Sequence, residues 1–94
     1  MRTSWTDRGA VVADRSALKA RVCDEIDRRR EDLLAIGSQI WARPELGFKE
    51  YETAALVARW LRQLGIPFRD QLAITGVKGS LEGRGPGPTV AILG

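Results

Sequence analysis

The run Thr89, Val90, Ala91, Ile92 and Leu93 places the tightest limit on what this chain can fold into. It is apolar without alternation, the pattern of a strand buried on both faces rather than one with a wet side. Residues 83–88, "GRGPGP", precede it. Proline fixes φ there and glycine supplies conformations other residues avoid, so the segment reads as a turn feeding the strand. A strand of this kind needs neighbours on its edges and helices over its faces, which points to an α/β architecture.

Upstream, the apolar residues change period. Leu18, Val22, Ile26, Leu33, Ile36 and Ile40 fall at spacings of four, four, seven, three and four, one stripe of a helix. The helix is expected from about Asp14, with Asp14 or Ser16 as its N-cap, to the residues before Pro44. Gly37 costs it about 1 kcal/mol relative to alanine and marks where a bend would fall. Asp24 with Arg28, Glu25 with Arg29, and Arg28 with Asp32 form four-residue charge pairs. Residues 1–13 show no clear period and read as a flexible leader, leaving 14–94 as the folded portion.

A connector, "RPELGFKEYET", follows, in which Gly47 permits a turn and Phe48 is expected to anchor the loop inward. A second helix spans about Glu50 to Leu64, with Ala54, Val57, Trp60, Leu61 and Leu64 on one face and Gly65 at the left-handed C′ position. "IPFRD" is a short edge strand, because Pro67 cannot donate to a central ladder. "TGVKGSLEG" alternates as a half-exposed strand. The expected order is therefore two helices and three strands, the opening part of a mixed sheet that needs further strands and a covering layer. A chain carrying only this part is expected to be aggregation-prone or partly molten.

Composition narrows the function. The 94 residues contain no histidine, the commonest general base near neutral pH and the commonest ligand of catalytic zinc. Fifteen basic residues against twelve acidic ones give a net charge of only +3, interleaved rather than clustered, so no nucleic-acid footprint stands out. There is no apolar run of the roughly 20 residues a membrane span requires and no secretory h-region near the N-terminus. With the single Cys23, this makes the cytoplasm the expected location, with neither nucleic acid nor membrane as partner.

Each candidate for chemistry has a plainer structural reading. Glu45, Glu50 and Glu52 could form an acid–base or metal-binding group, but acidic residues around a helix start are favoured by the macrodipole and the orphan amides. "GRGPGP" and "GVKG" are glycine-rich and basic, yet neither lies between a strand and a following helix where amides converge on phosphate, so both read as hairpin turns. "DRRRED" reads as a solvated helix face. Trp41 and Trp60 read as core and Cys23 as a structural thiol, while Trp5 in the leader carries no reading. No catalytic, cofactor-binding or metal-ligating residue is assigned in this chain.

Pro44-Glu45-Leu46-Gly47-Phe48 with Glu50 and Thr53, then residues 61–65, then residues 87–94 "GPTVAILG", together resemble the N-terminal part of the catalytic domain in the M20 peptidase family. The resemblance covers residues 33–94 and is nearest to the amidohydrolase branch, which includes N-acyl-amino-acid and aminobenzoyl-glutamate hydrolases. Many family members carry histidine three residues before the Pro-Glu pair, where this chain has Trp41. The resemblance implies a metal-dependent amidohydrolase or peptidase acting on an N-acyl amino acid or short peptide, with a water bridged between two divalent ions of zinc or manganese type and a carboxylate as base. It also implies a homodimer, metal ligands drawn from sequence beyond residue 94, and no activity in these residues alone. The alternative is a small stand-alone α/β module that pairs with a partner protein through its final strand.

Overall fold

A computed structural model describes residues 8–94, with side chains from residue 15 onward. Three helices and two antiparallel strands form in the order α1 (Arg8–Arg28), α2 (Arg30–Ala42), α3 (Tyr51–Gln63), β1 (Phe68–Leu72) and β2 (Gly76–Gly79). The α/β character stands, but two helices followed by three strands do not. The chain divides into two compact units, one ending at Ala42 and the other spanning Arg43–Gly94.

In the first unit the expected single helix is interrupted at Arg29 rather than at Gly37, which lies inside α2. The interruption is slight. The Arg29 amide donates to both Glu25 O and Ile26 O at 3.1 Å, and Leu33 N–H returns to Arg29 O at 3.0 Å, so the backbone tightens for one residue and resumes. Glu25 draws Arg28 (3.0 Å) and Arg29 (2.9 Å) to the same turn. The expected Glu25–Arg29 pair is therefore present, while Arg28 turns to Glu25 in place of Asp24 or Asp32. Helix α1 begins at Arg8, so Asp14 and Ser16 lie within it and cannot cap it, and helix extends over residues 8–13, where a flexible leader was expected. The remainder of that leader, 1–7 including Trp5, lies outside the described residues. No side chain of α2 is buried, and the stripe Leu18, Val22, Ile26, Leu33 and Ile40 is exposed.

The second unit holds the core. Helix α3 matches its expected span within a residue at each end and packs Leu56 and Ala58, the two buried apolar residues, with Trp60 and Leu61 half-buried. Its C-terminus is a Schellman motif: Ile66 N–H reaches Leu61 O (2.9 Å) and Gly65 N–H reaches Arg62 O (3.1 Å), with Gly65 at φ +71°. The chain thereby reverses into β1, where the Arg62 guanidinium stacks 5.5 Å over the Phe68 ring.

Strands β1 and β2 pair with Phe68 opposite Gly79, Arg69 opposite Lys78 and Leu72 opposite Gly76. Between the last two pairs the ladder bulges, with Gln71 at φ +54°. "GVKG" is thus strand β2 itself, not a hairpin turn; the turn is Ala73-Ile74-Thr75. Glycine is required at Gly76, where a Cβ would stand 2.5 Å from the Leu72 carbonyl oxygen.

The third strand is absent from the described residues. Ladder-like bonding ends with Ser80 N–H to Pro67 O at 3.1 Å, and residues 80–94 carry no regular structure. Val90, Ile92 and Leu93 are 83%, 95% and 95% exposed, the opposite of the burial expected for them. A run of this kind needs strands along its edges and helices over its faces, and no element among the described residues supplies them. Accordingly "GRGPGP" is an open bend rather than a hairpin turn.

Two glycine substitutions should act with opposite sign. Gly76→Ala is expected to destabilise the hairpin by about 1–3 kcal/mol, because backbone must shift. Gly37→Ala meets nothing within 4 Å and should stabilise α2 by about 0.5–1 kcal/mol. Denaturant titration followed by circular dichroism at helical wavelengths and by amide exchange in the hairpin separates the two.

Candidate functional site

The residues with the densest polar bonding are those of "PELGFKE", and their geometry follows from one deficiency. Helix α3 has Glu50 at its N-cap, with φ −79° and ψ 52°, and this side chain makes no capping bond. The first amides of the helix need an acceptor from elsewhere. Glu45 supplies it. Its Oε2 accepts Glu52 N–H at 2.9 Å, and its Oε1 accepts Thr53 N–H at 2.7 Å and the Thr53 hydroxyl at 2.6 Å. A carboxylate at this position also meets the positive end of the helix dipole.

Glu50 faces the other way. Its Oε1 accepts the Phe48 amide at 3.0 Å and its Oε2 accepts the Thr75 hydroxyl at 2.7 Å, joining the loop to the hairpin turn. The loop is closed further by Lys49 N–H to Leu46 O at 2.9 Å. Phe48, not Gly47, takes the positive φ of +61°. Its ring is 65% exposed, so the expected inward anchor is corrected: the backbone of Phe48 is held by Glu50 and its side chain points to water. Arg43 bridges Glu52 at 3.2 Å across the outside of the loop, an exposed pair of little energetic weight.

Both carboxylates are held below the ordinary value of 4.5. For Glu45 the largest cause is the hydrogen bond from the Thr53 hydroxyl, followed by the Glu52 amide, against partial desolvation that raises it. For Glu50 the Thr75 hydroxyl dominates, with the nearby Glu45 charge acting in the opposite direction. Hydrogen bonds to the ionised form are the common reason.

The bonds that Glu45 and Glu50 accept make this arrangement a structural clasp joining the loop, the helix start and the hairpin turn. The expectation that acidic residues here serve a helix start holds for Glu45. Thr53 entered the sequence reading only through the family resemblance, and Thr75 was not singled out. The usable signal was the absence of serine, threonine, aspartate or asparagine at the N-cap, which requires a cap from elsewhere.

Trp41 is 87% exposed and is not core, whereas Trp60 is half-buried on α3. Cys23 is exposed on α1 rather than packed in an apolar interior. Among the described residues no three histidine, cysteine, aspartate or glutamate side chains stand together as a metal-binding group. A groove of about 310 Å³ lies between α3 and the hairpin, floored by Ala54, Ala55 and Ala58 and rimmed by Tyr51, Gln71 and Ile74.

The clasp carries a pH signature with a definite sign. Carboxylates with lowered folded values contribute stability that is fully present above the unfolded value near 4.5 and is lost as pH falls through the folded values. The first turn of α3 should therefore fray on acidification below about pH 4.5. Glu45→Gln should show that fraying already at neutral pH and a shallower acid dependence, read from the Glu52 and Thr53 amide resonances. An unchanged acid profile in Glu45→Gln would remove the capping role.

No protein-family profile matches the chain, and no solved structure does. Curated relatives do. YhaA of Bacillus subtilis, provisionally named an amidohydrolase, is 36% identical over 77 residues, covering 82% of this chain and 19% of its own length. Thermostable carboxypeptidase 2 of Saccharolobus solfataricus is 36% identical over 76 residues, covering 80% of this chain and 19% of its own length. IAA-amino acid hydrolase ILR1-like 5 of Arabidopsis thaliana is 38% identical over 68 residues, covering 68% of this chain and 15% of its own length. The chain thus spans less than a fifth of the length of these relatives, and over that span it is similar to amidohydrolases and carboxypeptidases.

Proposed function

We propose that these residues serve as scaffold in a metal-dependent amidohydrolase whose substrate is an amide with an amino acid on its leaving side, an N-acyl amino acid or a short peptide. What supports this reading is the agreement among the relatives' names: a carboxypeptidase and an amino-acid-conjugate hydrolase both release an amino acid from an amide bond. The two divalent ions expected for such an enzyme, of zinc or manganese type, belong to this proposal and not to the residues described. The donor set does not fit them. There is no histidine, Cys23 stands alone on an exposed helix face, and Glu45 and Glu50 are committed to the clasp. No step of the reaction is therefore assigned to a residue of this chain, and by itself it is expected to be inactive. A cytoplasmic homodimer is the form proposed for the whole enzyme.

A second reading keeps one observation in its favour. The exposed run Val90, Ile92 and Leu93 suits a module that adds a strand to a partner's sheet.

The test begins with the coding sequence around this segment. The encoded polypeptide, purified and assayed with N-acetyl amino acids and dipeptides, is expected to release free amino acid. Activity should fall to background on chelation and return with Zn²⁺ or Mn²⁺, while the 94-residue chain assayed in parallel stays at background. Hydrolysis indifferent to chelator would overturn the metal-dependent reading. A reading frame that closes after Gly94 would leave the interaction module, to be tested by pull-down with residues 89–93 deleted.

A further inference from the structure

We propose that the β1–β2 hairpin is a flap on α3, packed at its base and latched at its tip by the Thr75–Glu50 hydrogen bond. The two ends of the hairpin are held by different physics. At the base, a Cβ at Gly79 would stand only 3.3 Å from both Leu61 methyls and 3.4 Å from Ile66, so strand and helix meet at close spacing. Ser80 N–H to Pro67 O closes that end of the ladder. Apolar contact at this spacing resists opening without any single deciding bond.

The tip differs in each respect. Gln71, Ala73 and Ile74 all have positive φ, +54°, +45° and +82°, conformations that cost non-glycine residues and persist only where their surroundings enforce them. Ile74, the β-branched member, is 59% exposed, so burial does not supply that enforcement. Below the tip lies the groove lined by Ala54, Ala55 and Ala58 of the helix and by Gln71, Ile74 and Thr75 of the hairpin. The hydrogen bond that spans from the tip to the helix start is Thr75 Oγ1 to Glu50 Oε2 at 2.7 Å, charge-assisted and short. Glu50 is itself oriented by the Phe48 amide, so the latch is pre-set by the loop. Releasing it lets the strained turn relax and lift from the alanine floor while the base stays docked.

Amide hydrogen exchange on the 94-residue chain tests this. Thr75→Val removes the hydroxyl and keeps the shape. Amides of residues 71–76 are expected to exchange about tenfold faster, the scale of one charge-assisted hydrogen bond, with the amides of residues 78–80 unchanged. Thr75→Ser, which keeps the hydroxyl, should return the tip to the parent rate. Equal acceleration at tip and base would show a hairpin that opens as one piece and overturn the proposal. So would no acceleration at the tip, or a Thr75→Ser variant as fast as Thr75→Val.

Discussion

The Arg43–Gly94 unit depends on one carboxylate in an unusual place. Glu45 lies outside helix α3, yet it accepts the amides of Glu52 and Thr53 and the Thr53 hydroxyl. Without it the helix would open with unpaired donors, because its own N-cap residue is turned toward Phe48 and Thr75. Setting the helix start sets the loop, and the loop in turn orients Glu50 toward the hairpin. Two glutamates thus do by directed hydrogen bonds what a larger domain does by burial, which matters where Leu56 and Ala58 are the buried apolar side chains among the described residues.

Local signals were legible wherever the physics was local. The span of α3, the role of Gly65 as its left-handed terminator and the edge strand after Pro67 could all be read from period and punctuation, since a C-terminal glycine and a proline act within a few residues; the buried face could not, for Leu56 and Ala58 are buried where Val57 and Leu64 were expected. The likeness to amidohydrolases could be read as well, from "PELGFKE" with Thr53 and the run at residues 87–94.

What could not be read depended on partners distant in sequence. The apolar run at residues 89–93 has strand character but no pairing among the described residues, and period alone does not supply a neighbour. Phe48 was expected inside on hydrophobicity, whereas the Glu50 carboxylate decides its backbone and leaves the ring outside. Thr75 joins Glu50 across 25 positions, beyond any local rule. The helix is interrupted at Arg29, whose amide is shared between Glu25 O and Ile26 O, while Gly37 continues inside α2, a placement that propensity alone does not give. The candidate site was legible as a motif and not as a clasp, because residue type shows where carboxylates fall but not which donors reach them.

The close approach of Gly79 to Leu61 has a consequence for how such a sequence can diverge. A side chain at position 79 requires the Leu61 methyls to give by a few tenths of an ångström, and a bulkier residue at 61 presses on the strand in the same way. The two positions, one on a helix and one on a strand, are therefore coupled in volume, so an alignment of divergent sequences should record them as a correlated substitution.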